Sequence, residues 1–222
     1  MTVAFIAGAT GLIGQHLLNN LLDDPRYQEV CVLVRQTLPI RHDKLVQIVD
    51  PMTQLETVQH RVQGQDVFCC LGTTQKKAGT RHAFRQVDYE LPMALARGAK
   101  AHGSQHFLVV SAMGASACSP SFYSRTKGEL ELDLKSLGLP NLAILRPSLL
   151  LGKRSEKRLA EEIGQTFSRW LNPILPRHYR AIPAADVALA LQAIARQPAK
   201  VKVYESGDLS VLARRQETLN CR

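Results

Sequence analysis

The chain has 222 residues, 45% hydrophobic and 21% charged, an ordinary globular composition for a single domain with one substantial core. No apolar stretch reaches the length of a membrane span and no basic leader precedes the first apolar run, so neither an integral membrane segment nor a signal peptide is expected, and the expected location is cytoplasmic. The net charge of +9 is diffuse, with one modest cluster at Lys153-Arg154-Ser155-Glu156-Lys157-Arg158, and aromatics at 5% offer no stripe for stacking bases, which argues for a solvated surface rather than nucleic-acid binding.

The first predicted element is an apolar strand, Val3 to Ala7, that breaks into Gly8-Ala9-Thr10-Gly11-Leu12-Ile13-Gly14 and then a helix with Leu12, Ile13, Leu17, Leu18, Leu21 and Leu22 at helical spacing. Glycine at these three points serves a tight turn, close approach of backbone N–H groups to a pyrophosphate, and close packing of helix on strand. The helix aims its positive dipole end and unpaired N–H groups at an anion. A glycine-rich structural turn is the plainer alternative; strand before and helix after favour a dinucleotide site.

Short apolar runs follow at Glu29–Val34, Leu45–Val49 and 66–71, each reading as a buried parallel strand. Arg35 ends the second, where an NAD-preferring site carries an acidic residue; it is either a partner for the 2′-phosphate of NADP or a surface residue. Asp50, after the third, either accepts from the adenine amino group or caps a helix. Leu71, Gly72, Thr73 and Thr74, after the fourth, would pass beside the nucleotide ribose. All these positions fall at carboxyl ends of strands, where open α/β sheets bind ligands.

A helix over 80–102 leads to a strand at 107–110, and a helix over 121–137 leads to a strand at 142–145, so the alternation is βαβ throughout. Ser111 stands at the end of the fifth strand, and Tyr123 and Lys127 form an i, i+4 pair on the helix after it. A turn apart on one face, the ammonium favours the phenolate and brings the phenol below its usual pKa of about 10. A carbonyl between the Ser111 and Tyr123 hydroxyls would then take a proton from Tyr123 as hydride arrives. The alternative is an exposed tyrosine beside a solvated lysine.

Past Arg146-Pro147 the strand signal fades. Helices are predicted at 159–171 and Ala184–Ala195 around a proline-rich stretch at 173–183, making 147–222 a small substrate-side cap, with a loosely packed helix or tail from about residue 209. The five cysteines, Cys31, Cys69, Cys70, Cys118 and Cys221, are scattered and read as free thiols, adjacent Cys69 and Cys70 as small buried hydrophobes. The seven histidines are equally dispersed and no metal site is expected. The fold expected is a doubly wound α/β Rossmann domain with a parallel sheet and a small C-terminal helical cap.

With Val87-Asp88, Arg146-Pro147 followed by Gly152, and Ile182-Pro183-Ala184-Ala185-Asp186-Val187-Ala188, these motifs resemble the short-chain dehydrogenase/reductases, specifically the extended or atypical branch, over most of the chain. Cys69-Cys70-Leu71-Gly72-Thr73-Thr74, Lys77-Ala78-Gly79, Phe122-Tyr123 and Lys127-Gly128-Glu129 look most like the Tat-interacting-protein group, also called CC3. The resemblance implies NADPH as cofactor, Arg146 and Pro147 among the residues around it, and Lys127 bonding the nicotinamide ribose as well as tuning Tyr123. Classical members carry asparagine where this chain has Asp88, which puts their proton relay in doubt here. Two functions are expected: an NADPH-dependent oxidoreductase reducing a small carbonyl compound, or a non-catalytic NADPH-responsive module that binds a protein partner. Either a monomer or a homodimer is compatible with the sequence.

Overall fold

A computed structural model of the chain describes residues 2–151, 180–197 and 200–220. The opening apolar run forms β1 (Val3–Ala7) and turns at the glycines into α1 (Leu12–Asp23). There follow β2 (Glu29–Val34), β3 (Leu45–Val49), α2 (Leu55–Arg61) and β4 (Asp66–Cys69). The short helices α3 (Gln75–Ala78) and α4 (Arg81–Arg85) run into one π turn (Gln86–Glu90) and then α5 (Leu91–His102). Next come β5 (His106–Val110), α6 (Phe122–Ser136), β6 (Asn141–Arg146), the short strands β7 (Leu150–Leu151) and β8 (Ile182–Pro183), α7 (Ala184–Ala195), β9 (Val201–Glu205) and α8 (Ser206–Asn220).

Seven strands pair in parallel in the order β3-β2-β1-β4-β5-β6-β9, and β7 pairs with β8 apart from them. The central strands read as continuous apolar runs because both faces are covered. Ala4 and Ile6 of β1 face Leu17, Leu21, Leu191 and Ile194 of α1 and α7, while Phe5 and Ala7 face the layer holding Val58, Leu95, Leu130 and Leu134 of α2, α5 and α6. The strand order reverses between β1 and β4, which opens a crevice at their carboxyl ends. There the Cys70 N–H donates to the Ala7 carbonyl at 2.8 Å and holds the two exits together.

Three expectations change. The helix expected at 80–102 is interrupted by the π turn, whose closing bond runs from the Leu91 N–H to the Gln86 carbonyl. Pro92 has no N–H to give to the carbonyl four residues back, that of Asp88, so the α-helical ladder cannot run through unbroken. The strand signal does not end at β6: Val201–Glu205 pairs along it from Leu142↔Val201 to Arg146↔Glu205. As an edge strand β9 is only partly covered, with Val201 and Lys202 exposed and Tyr204 buried, and so lacks the continuous apolar run of the inner strands.

The final helix is packed, burying Leu209, Ala213 and Gln216, and with α7 it belongs to one layer of the main sheet. The described residues 184–197 and 200–220 thus join or pack against the main sheet. Gly152, the 153–158 basic cluster, the helix expected at 159–171, most of the proline-rich stretch and Cys221 lie outside the described residues.

Candidate functional site

The glycine turn is built by close approach. Gly8 has φ +90°, and a Cβ there would lie 2.6 Å from the Cys70 carbonyl. A Cβ on Gly14 would lie 2.1 Å from the Gly8 carbonyl oxygen, so α1 rests directly on the turn. Gly11 caps α1 without a side-chain hydrogen bond, and no acidic residue stands in the first turn. The N–H groups of Leu12, Ile13 and Gly14 thus begin a helix whose positive end no side chain answers among the described residues. Ala9 is buried under the turn, while Thr10 is exposed and its carbonyl accepts from the Gln15 side chain at 3.1 Å. This is a cradle shaped for a pyrophosphate.

Arg35 is exposed at the end of β2, and among the described residues its guanidinium has no hydrogen-bond or ion-pair partner. Asp50 is buried; its Oδ1 accepts the Met52 N–H at 2.7 Å, and its Oδ2 lies 3.7 Å from Arg61 Nε. It closes a turn in which Met52 has φ 57°, and it caps no helix, since α2 starts from Gln54. After β4, Gly72 and Thr73 run beside Asp88, whose Oδ2 accepts the Thr73 N–H at 2.8 Å, while Thr74 caps α3 by accepting from the Lys77 N–H at 3.1 Å. Cys69 is fully buried, which pushes its thiol up to about 11, and Cys70 is half-buried with its thiol also raised by burial, as small hydrophobes in this place should be.

The side chains expected to do chemistry fall into two polar networks. In the first, Tyr123 and Lys127 lie a turn apart on α6, and Lys127, 3% exposed, is ion-paired at 2.7 Å with Asp88, 1% exposed. Burial pulls the Lys127 ammonium toward losing its proton, but Asp88 and Tyr123 more than offset this and hold it above its usual value. Tyr123 packs at 5.6 Å on the Phe84 ring and is raised by burial, which outweighs the lowering pull of Lys127; Asp88 adds a smaller upward push. The expected lowering of the phenol is therefore reversed, chiefly because the phenol is buried, with the carboxylate that answers the lysine pushing in the same direction.

In the second network the Ser111 hydroxyl donates to Glu131 Oε1 at 2.6 Å. Glu131, 2% exposed, is gripped by Arg146 through Nε at 3.0 Å and Nη2 at 2.6 Å. Arg146 also reaches Glu205 at 3.1 Å and the Ala115 carbonyl at 3.2 Å, so its guanidinium is engaged within the protein. The Pro147 carbonyl accepts the Met113 N–H at 3.1 Å, tying the exits of β5 and β6. A hydroxyl has one proton, and that of Ser111 is given to Glu131; a contact from it to a carbonyl requires the hydroxyl to turn away. Sequence reasoning missed Glu131, although its place four residues after Lys127 on a buried helix face is the signal of a carboxylate that must find a partner.

Replacing Ser111 by Ala is accordingly expected to cost about 1–3 kcal/mol of stability, as a charged hydrogen bond is lost from a buried carboxylate. Turnover of a carbonyl substrate should fall by less than about tenfold. Denaturant unfolding and steady-state kinetics check the two parts, and a loss of turnover as deep as that for Tyr123→Phe would return Ser111 to the carbonyl.

Among the described residues no group of three His, Cys, Asp or Glu is arranged to hold a metal ion, and no helix is long and apolar enough to cross a membrane. A family model described as NAD(P)H-binding matches residues 8–198. Protein FMP52, mitochondrial, of Candida albicans is 37% identical over 190 residues, 82% of this chain and 83% of that protein. Protein HTATIP2 of Rattus norvegicus is 34% identical over 191 residues, 84% of this chain and 78% of that one. Among solved structures, a UDP-N-acetylglucosamine 4-epimerase from Methanobrevibacter ruminantium shares the fold with TM-score 0.69 at 19% identity, over 92% of this chain and 76% of the other.

These relatives correct the expected cytoplasmic location, since several FMP52 proteins are named as mitochondrial. The expectation rested on the lack of a basic leader, which does not by itself specify a compartment. A parallel seven-stranded sheet, an uncapped glycine turn at its switch point and these similarities together make the chain an NAD(P)H-binding protein of the atypical short-chain dehydrogenase/reductase family, close to HTATIP2.

Proposed function

We propose that the protein is an NADPH-dependent reductase of a small carbonyl compound. The observation that carries this reading is the Tyr123 and Lys127 pair on α6, with Lys127 buried and charged beside the loop that leaves β4. NADPH supplies a hydride to the carbonyl carbon when bound. The Tyr123 hydroxyl gives its proton to the carbonyl oxygen, which completes the alcohol. Lys127 keeps a positive charge next to the phenol and reaches toward the nicotinamide ribose, while the N–H groups at the start of α1 hold the pyrophosphate. Leu71 to Thr74 line the ribose, Asp50 lies on the adenine side, and Ser111, Glu131 and Arg146 brace the floor between β5 and β6. The mitochondrial names of several relatives support a mitochondrial setting.

Choice of NADPH over NADH rests on Arg35, an exposed guanidinium at the end of β2 that has no partner among the described residues. A charge-assisted bond to the 2′-phosphate contributes about 1.5–3 kcal/mol. Arg35→Asp is expected to weaken NADPH by about tenfold to a hundredfold, with NADH affected far less. Calorimetric titration with both nucleotides measures this, and equal weakening would refute the phosphate assignment.

The reading as a whole is tested by following nicotinamide absorbance with a panel of aldehydes, ketones and quinones. Oxidation of NADPH by a panel member, abolished in Tyr123→Phe, is the expected result. Tight NADPH binding without turnover of any member would favour the non-catalytic module that binds a protein partner.

A further inference from the structure

Tyr123 and Lys127 are the pair on which the proposed reductase rests, yet the lysine does not stand alone. Asp88 enters the site from the π turn, where Pro92 prevents an unbroken α-helix, and is buried to 1% exposure. One carboxylate oxygen lies 2.7 Å from Lys127 Nζ; the other accepts the Thr73 N–H at 2.8 Å. A Cβ on Gly72 would lie 3.6 Å from Asp88 Oδ1, so the carboxylate sits directly beneath the loop expected along the ribose. Two buried opposite charges in contact carry no net charge, so Asp88 opposes the pull of the ammonium on the neighbouring phenol.

We infer that Asp88 is a positioning residue of this site: by pairing with Lys127 and anchoring to Thr73, it offsets the ammonium's charge beside the buried Tyr123 and helps to keep the phenol in its proton-donating form. Among the described residues the charged and titratable groups bearing on the phenol are few. Lys127 comes from α6 itself, Asp88 from the π turn, and Cys69 from β4 lies against the lysine as a neutral thiol; α4 contributes only the Phe84 ring. Burial is the largest upward cause at Tyr123, and Asp88 adds to it against the larger downward pull of Lys127.

The consequence is directional. Carbonyl reduction needs a neutral phenol that gives up its proton, and alcohol oxidation needs a phenolate that takes one. With Asp88 in place the site is set for reduction across the neutral range, and oxidation should rise with pH. An uncharged residue at position 88 would leave Tyr123 as the chief partner of the buried Lys127, and an ammonium that keeps its charge there does so by favouring the phenolate beside it. The titration would then move to lower pH.

This inference rests on Tyr123 as the proton donor, but its test does not need turnover. The ultraviolet absorbance of tyrosinate is titrated in the nucleotide-free protein, and the same titration of Tyr123→Phe is subtracted to isolate one phenol among the five tyrosines. The wild-type difference is expected to show no tyrosinate between about pH 7 and pH 10. In Asp88→Asn, which keeps the shape and an oxygen for the Thr73 N–H, the midpoint should fall by about one pH unit or more. Asp88→Ser serves as a second neutral variant should the first not fold, and melting temperature and NADPH calorimetry check both. Ionisation of Tyr123 well below pH 10 in the wild type, or an unmoved midpoint in the folded neutral variant, would overturn the inference. A purely structural Asp88 would lower the melting temperature without moving the phenol. Failure to find a carbonyl substrate would strike the reductase reading and leave the titration standing.

Discussion

Tyr123→Phe is expected to lower turnover of a carbonyl substrate by about a hundredfold to ten-thousandfold, the usual contribution of a positioned proton donor. The substitution removes one oxygen and one proton and little else. The ring packs at 5.6 Å on Phe84, a contact that phenylalanine preserves, and the Lys127 to Asp88 ion pair does not pass through the phenol. NADPH affinity and melting temperature should therefore stay close to wild type while kcat falls. An interaction made chiefly in the transition state appears in kcat and kcat/KM together. Steady-state kinetics with parallel calorimetry measure both sides, and full turnover in a folded Tyr123→Phe protein would remove Tyr123 from the chemistry.

The second large effect is expected at Gly14→Ala. On helix propensity alone alanine is favoured over glycine by about 1 kcal/mol. Here the new methyl would lie 2.1 Å from the Gly8 carbonyl oxygen and 2.8 Å from its carbon, both backbone atoms that cannot swing aside. Helix α1 must then lift from the turn. The overpacking is expected to cost about 1–3 kcal/mol net of stability. Because the same shift moves the N–H groups of Leu12, Ile13 and Gly14, NADPH affinity should drop by about a hundredfold, the scale of a 1 Å misplacement. Gly72→Ala is the stability control, since its Cβ meets nothing nearer than 3.6 Å. Equal melting temperatures and equal NADPH affinity for Gly14→Ala and wild type would show that the turn has room the structure denies it.

Much of the fold is legible in the sequence because its signals are local. The central parallel strands bury both faces and so announce themselves as short apolar runs, and the glycine turn after β1 is written as a spacing. The positions of Arg35, Asp50, Gly72 and Ser111 follow from each being the end of such a run. Less legible were α2, a short helix with Val58 as its one buried residue, and β9, a half-exposed edge that becomes a strand because β6 offers it a free row of hydrogen-bonding groups.

What the site does with its charges could not be read along the chain. The i, i+4 spacing of Tyr123 and Lys127 is a property of one helix, and it suggests a lysine free to favour the phenolate. Only the packed structure brings the π turn against α6, sets Asp88 on that lysine, and buries the phenol, which reverses the direction there. In the same way Ser111 looks available at a strand end until Glu131 and Arg146 close around it. Periodicity is a local quantity, set by the backbone and the pattern of side chains over a few residues. Ion pairing and proton affinity are decided through space, by burial and by whichever charges the fold places within a few ångströms, and these come from elements far apart in sequence.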